Sequence, residues 1–153
     1  MSYTKRRNNL GKTVRNRGNN NAKLFSEFTN QITVLFLEMI MMIKLFHWNT
    51  HSYATHKATD ELHEKLNSHV DRFMEVLFGK TGKRINLTNK KNILLFDLTN
   101  NAELINKINL FKDYLVNLNS NKALNILGNY DLLTIRDEIL ADLNQFLYLL
   151  SFK

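Results

Sequence analysis

The chain has no cysteine and no proline, and only five glycines and one tryptophan among its 153 residues. Without cysteine it can form neither disulfides nor thiolate metal sites, which fits a reducing compartment. Proline and glycine interrupt helices, and four of the five glycines fall outside the long apolar-periodic stretches. Their scarcity predicts an all-α fold. Apolar residues at 44% and charged residues at 23% are ordinary for a globular chain, and the length predicts one domain able to bury a core. The apolar run from Ile32 to Ile43 is shorter than the roughly 20 residues of a membrane-spanning helix, and Glu38 interrupts it. No apolar leader stands at the N-terminus, so the expectation is an intracellular protein without a membrane partner.

Acid is missing altogether from residues 1–23, which hold Lys5, Arg6, Arg7, Lys12, Arg15, Arg17 and Lys23. The other 14 basic residues balance the 14 acids, so the net charge of +7 resides on this segment. With few apolar side chains to offset ordering entropy, it is predicted to be a mobile basic arm, with the folded domain spanning residues 24–153. Seven cations displacing condensed counterions would bind nucleic-acid phosphate without base specificity, and several arms together would bind by avidity. An acidic protein surface, a solubilising tail and a KRR-type nuclear signal are the alternatives.

From Phe25 apolar residues recur at steps of three and four (Phe28, Ile32, Leu35, Phe36, Met39, Ile43, Phe46), predicting a first helix that ends near residues 47–49. A second helix, capped by Ser52 or Thr55, follows to about Phe78, with Leu62, Leu66, Val70, Phe73 and Leu77 inward. Gly79 and Gly82 are expected to stop it. After a long connection over residues 80–98, third and fourth helices are expected at about 101–119 and 132–152. Two helical hairpins joined by a long crossover make a ferritin-like four-helix bundle.

All five histidines lie between His47 and His69. On a helical wheel His56, Asp60, His63, Glu64, Asn67, Asp71 and Glu75 share a stripe about 120° wide, opposite the apolar face. His56 with Asp60, and Asp71 with Glu75, are i, i+4 pairs of metal-ligand type. The two pairs are about 16 Å apart along one helix, too far for one ion. An antiparallel second copy, crossing on a two-fold axis between Lys65 and Leu66, would set Asp60 opposite Asp71 and His56 opposite Glu75. Two identical sites result. The bland alternative is a solvated helix face. Imidazole and carboxylate together suit iron, manganese or zinc. His69 lies off the stripe and is expected to support a ligand or an interface.

The sequence HWN at the end of the first helix, then H-x3-D and H-x-D-x3-E on the second, resembles the Dps (DNA-binding protein from starved cells) branch of the ferritin superfamily. The likeness covers residues from about 30 to 79 and returns at RDEILADLNQFLYLL. It implies a hollow twelve-subunit shell that oxidises Fe(II), usually with peroxide, and stores the ferric product. By position, His47, His56 and Asp60 would come from one subunit and Asp71 and Glu75 from its two-fold partner, with Trp48 beside the site. The link from His47 to His56 is three residues shorter than the family's, and the central connection lacks its prolines. His51 and His63 match no family role; Glu38 is an additional ligand or a salt-bridge partner. The resemblance implies DNA binding by the arm and a place in the cytoplasm or nucleoid. The asparagine-rich composition with its Arg/Lys leader suggests a large DNA virus and so a virion, the KRR run suggests a nucleus, and the alternative function is a non-catalytic ferritin-like structural protein associated with DNA or a virion.

Overall fold

A computed structural model describes residues 4–90 and 92–152, and side chains from Arg17 onward. Helix α1 spans Thr4–Asn49, α2 Tyr53–Thr81, α3 Asn101–Asn117, α4 Lys122–Leu127 and α5 Tyr130–Leu149, with a 3-10 turn at Leu118–Ser120. The fold is all-α, a bundle in which α2 packs against both α1 and α5, while α3 rests on α5 and α1. The periodic residues of the sequence form its core. Phe28, Ile32, Phe36, Met39, Ile43 and Phe46 of α1 are buried with Leu62, Leu66, Val70, Phe73 and Leu77 of α2. Leu104, Ile108, Phe111 and Leu115 of α3 close the core with Ile135, Ile139, Leu143 and Phe146 of α5.

Several helix boundaries differ from the expectation. Helix α1 begins at Thr4 rather than near Phe25, so no helix end marks the division at residue 23. Adding residues to an existing helix avoids the nucleation cost, and no proline stands in the way. Of the seven arm cations, Arg17 and Lys23 are exposed; the side chains of Lys5, Arg6, Arg7, Lys12 and Arg15 lie outside the described residues. Helix α2 passes through Gly79 and stops at Gly82, whose φ of 64° is left-handed and whose N–H donates to the Phe78 carbonyl. The last helix starts at Tyr130 rather than near Leu132, with Asn129 at the cap and Asp131 in its first turn. The short helix α4 was not expected: Asn121 caps it, accepting from Ala123 and Leu124 N–H. Residues 17–49 are long and apolar enough to cross a membrane by length and composition, yet the Phe28–Phe46 face packs inside the bundle.

One buried cation joins α3 to α5. The Arg136 side chain is 5% exposed. It donates to the Leu115 carbonyl (2.7 Å), to Asn119 Oδ1 (2.9 Å) and to Asp137 Oδ1 (2.7 Å). Leu115 belongs to the last turn of α3, where its carbonyl also accepts the Leu118 N–H, so the guanidinium adds a second, charged donor to that helix end.

Candidate metal centre

Three residues connect α1 to α2, and this shortness builds the site. The Thr50 N–H closes the last turn of α1 on the Phe46 carbonyl (2.9 Å), and the Ser52 hydroxyl caps α2 by accepting from Thr55 N–H (3.3 Å). The reversal stacks His47 on His56, with ring centroids 3.9 Å apart and planes at 24°. Each ring faces the other residue's backbone. His47 Nδ1 lies 3.0 Å from the His56 carbonyl, and His56 Nδ1 lies 3.1 Å from the His47 carbonyl. A carbonyl oxygen only accepts, so both rings carry their proton on Nδ1. When neutral, each presents a lone pair at Nε2, the form in which imidazole binds a metal. Backbone carbonyls holding the remote ring nitrogen are the usual way a protein orients such ligands.

Asp60 completes the group. Its Oδ1 lies 3.8 Å from His47 Nε2. A carboxylate facing an imidazole lone pair is repulsive unless a proton or a cation stands between them. His47 is 7% exposed, so little water competes for that position. Sequence reasoning missed Thr59, which is fully buried. Its hydroxyl sits 3.2 Å from His47 Nδ1 and within donating distance of the Thr55 (2.8 Å) and His56 (3.0 Å) carbonyls. A threonine on the apolar face of α2, between the two ligand-type residues His56 and Asp60, was the available signal.

Asp71 and Glu75 are exposed about three and four turns beyond Asp60 along α2. Among the described residues neither forms a salt bridge or a side-chain hydrogen bond, and no group of three or more His, Asp or Glu converges tightly enough within one chain to hold a metal ion. The chain therefore brings His47, His56 and Asp60 together and leaves Asp71 and Glu75 apart from them. Trp48 is 65% exposed at the rim, with Lys44 Nζ 6.0 Å from its ring centroid. Among the described residues Glu38 forms no ion pair; its Oε1 accepts the Leu94 N–H (3.1 Å). His51 is exposed in the link. His69 lies between two α5 carboxylates, with Nδ1 3.4 Å from Glu138 and Nε2 3.0 Å from Asp142. That second approach lacks hydrogen-bond alignment, and the buried Asp142 Oδ2 has no hydrogen-bond partner.

His63, half-buried one turn beyond Asp60, has its pKa lowered from the ordinary 6.5, first by burial and then by the Lys44 ammonium. The unfolded chain therefore takes up this proton at higher pH than the folded one. The contribution is fully present above pH 6.5 and is lost as pH falls from there through the folded value. Replacing His63 with Gln should flatten the decline in urea midpoint below pH 6.5. A decline equally steep in the variant would assign the acid sensitivity to other groups.

No curated protein and no solved structure matches the chain. Residues 47–150, which carry the His47–His56 pair, all of α2 and the helices after it, match the model of a family of unknown function, DUF5856. Because that match spans most of the 153 residues, the chain belongs to this family.

Proposed function

We propose that the chain is a ferritin-like, Dps-type ferroxidase and iron-storage protein, active as a homo-oligomer with its sites between two-fold-related subunits. One observation carries the reading: the reciprocal bonds of His47 and His56 commit both Nδ1 atoms to backbone carbonyls and leave both Nε2 atoms free, that of His47 3.8 Å from Asp60 Oδ1. Hydrogen bonds made only for stability would not need two imidazoles in the same tautomer next to a carboxylate. The unpaired Asp71 and Glu75 of a second, antiparallel copy supply the missing oxygen ligands. Mixed nitrogen and oxygen donors suit ferrous iron as substrate, with manganese and zinc as competitors. Two ferrous ions each give one electron to hydrogen peroxide; its O–O bond breaks, and two protons taken up from solvent complete the two waters that leave. Trp48, at the rim, is placed to pack on the partner or to pass an electron. The twelve-subunit shell, and a location in cytoplasm, nucleoid, nucleus or virion, belong to the same proposal.

The arm is proposed to bind DNA. Helix α1 has no acid in its first turn, so its dipole adds to the charge of residues 5–23, and both favour phosphate. The same feature favours the second reading, a structural protein associated with DNA or a virion and without catalysis.

Ferrous oxidation, followed at the ferric absorbance band with peroxide or oxygen, separates the two. Asp71→Ala with Glu75→Ala should abolish the signal and leave assembly unchanged by light scattering. Wild-type kinetics in that variant would leave only the structural reading. Deleting residues 2–23 should remove a low-salt DNA gel shift, and a shift that persists would place DNA binding on another surface.

A further inference from the structure

A cleft of about 540 Å³ lies between α1, the last turn of α3 and the connection that follows α2. Its size is that of a small-molecule site, and it shares no residue with the histidine group. One wall is a second stripe on α1. Phe28, Ile32, Phe36 and Met39 face the core, and Gln31, Val34, Leu35 and Glu38 run beside them at steps of three and four. Val34 and Leu35 are half-buried in the middle of this stripe. Asn30 and Gln31 stand at one end, and Glu38 stands about 10 Å further along the axis. A turn fixes the opposite wall. Asn86 Oδ1 accepts from the Thr88 N–H (3.2 Å) and from its hydroxyl, and the Lys90 N–H donates to the Leu87 carbonyl (2.8 Å). The turn brings Leu87, Asn89 and Lys90 to the cleft. Tyr114 reaches it from α3, and burial pushes its phenol pKa up, so the group stays a neutral O–H donor. Among the described residues the side chains of Asn30, Gln31, Asn89 and Tyr114 have no hydrogen-bond partner in the protein.

We propose that this cleft binds an adenine nucleoside monophosphate. Apolar walls with a few convergent polar groups are what a small-molecule site offers. The free carboxamides each set a donor beside an acceptor, the pattern with which Asn and Gln meet the adenine edge. Val34, Leu35 and Leu87 cover the faces of the base. Glu38 has one oxygen on the Leu94 N–H, and its other oxygen accepts from a ribose hydroxyl, the part an acidic residue plays in dinucleotide sites. Lys90 is the one cation among the lining residues and Glu38 the one anion, which suits a single phosphate better than a polyphosphate. Lys83 and Arg84 line a narrower neighbouring cleft that shares Asn30, so the local potential favours the monophosphate over the neutral nucleoside.

Equilibrium dialysis of the full chain at physiological salt, which screens the basic segment, tests the assignment. Adenosine 5′-monophosphate should bind saturably with a dissociation constant below about 1 mM, and adenosine about ten-fold more weakly. Lys90→Ala should bring the monophosphate to the level of adenosine and leave adenosine itself unchanged. Asn30→Ala with Gln31→Ala should weaken both by about ten-fold or more without altering the far-ultraviolet circular dichroism. Cytidine 5′-monophosphate, which carries the same phosphate, should also bind about ten-fold more weakly. Absence of saturable adenosine 5′-monophosphate binding overturns the proposal. So does equal affinity for the cytidine compound, which would place the phosphate on basic residues without any reading of the base. Wild-type affinity in the Asn30→Ala, Gln31→Ala protein would move the nucleotide out of this cleft. A deoxyadenylate tetranucleotide that binds more tightly than the monophosphate would assign the cleft to a nucleic-acid strand and overturn its assignment to a free nucleotide.

Discussion

Two inactive variants should regain activity when their subunits are mixed. His56→Ala with Asp60→Ala removes ligands from one end of the α2 stripe, and Asp71→Ala with Glu75→Ala removes them from the other. Each variant alone should show no ferrous oxidation above background. In a mixed pair, the intact acids of the first variant meet the intact His56 and Asp60 of the second, so one of two sites is whole. Random pairing makes half of the dimers mixed, and the expected rate is about a quarter of wild type. The two sets lie about 16 Å apart on one helix, so a single chain cannot produce this recovery. Differently tagged subunits refolded together and purified through both tags give the measurement. A doubly tagged assembly as inactive as its parents would rule out a shared site, whatever the parents do separately.

The second large effect concerns stability. Arg136→Leu should cost about 3 kcal/mol, read as a lower urea midpoint with an unchanged slope. It removes the charged donor from the Leu115 carbonyl, which keeps only the Leu118 N–H, and the bond to Asn119 that ties the end of α3 to α5. Asp137→Ala should cost about 1 kcal/mol or less, because its carboxylate is 65% exposed and water replaces the lost pair. Equal losses in the two variants would show that the ion pair, rather than the capped helix end, is what Arg136 contributes.

Much of the bundle was legible in the sequence. Every residue placed inward on the second helix is buried, because apolar spacing of three and four residues leaves a helix one way to face a core. Helix ends were less legible. Gly79 and Gly82 offer the same local signal, and only the chain's change of direction decided which adopts the left-handed turn. Likewise, the basic segment carries no burial pattern, and its helical continuity with α1 reflects propagation from a folded neighbour. The link between His47 and His56 is shorter than in the Dps pattern, and spacing alone leaves the reach of His47 open. The tight reversal instead stacks the two rings at 3.9 Å.

The sequence by itself determined the helical class, the apolar faces and the stripe on which His56, Asp60, Asp71 and Glu75 stand, because each depends on the period of one helix. Tertiary structure decided which backbone carbonyl each histidine ring meets, where the Thr59 hydroxyl sits beside His47, and that Glu38 holds the Leu94 N–H. Those depend on which backbone groups a turn carries past one another, and spacing along the chain does not encode that.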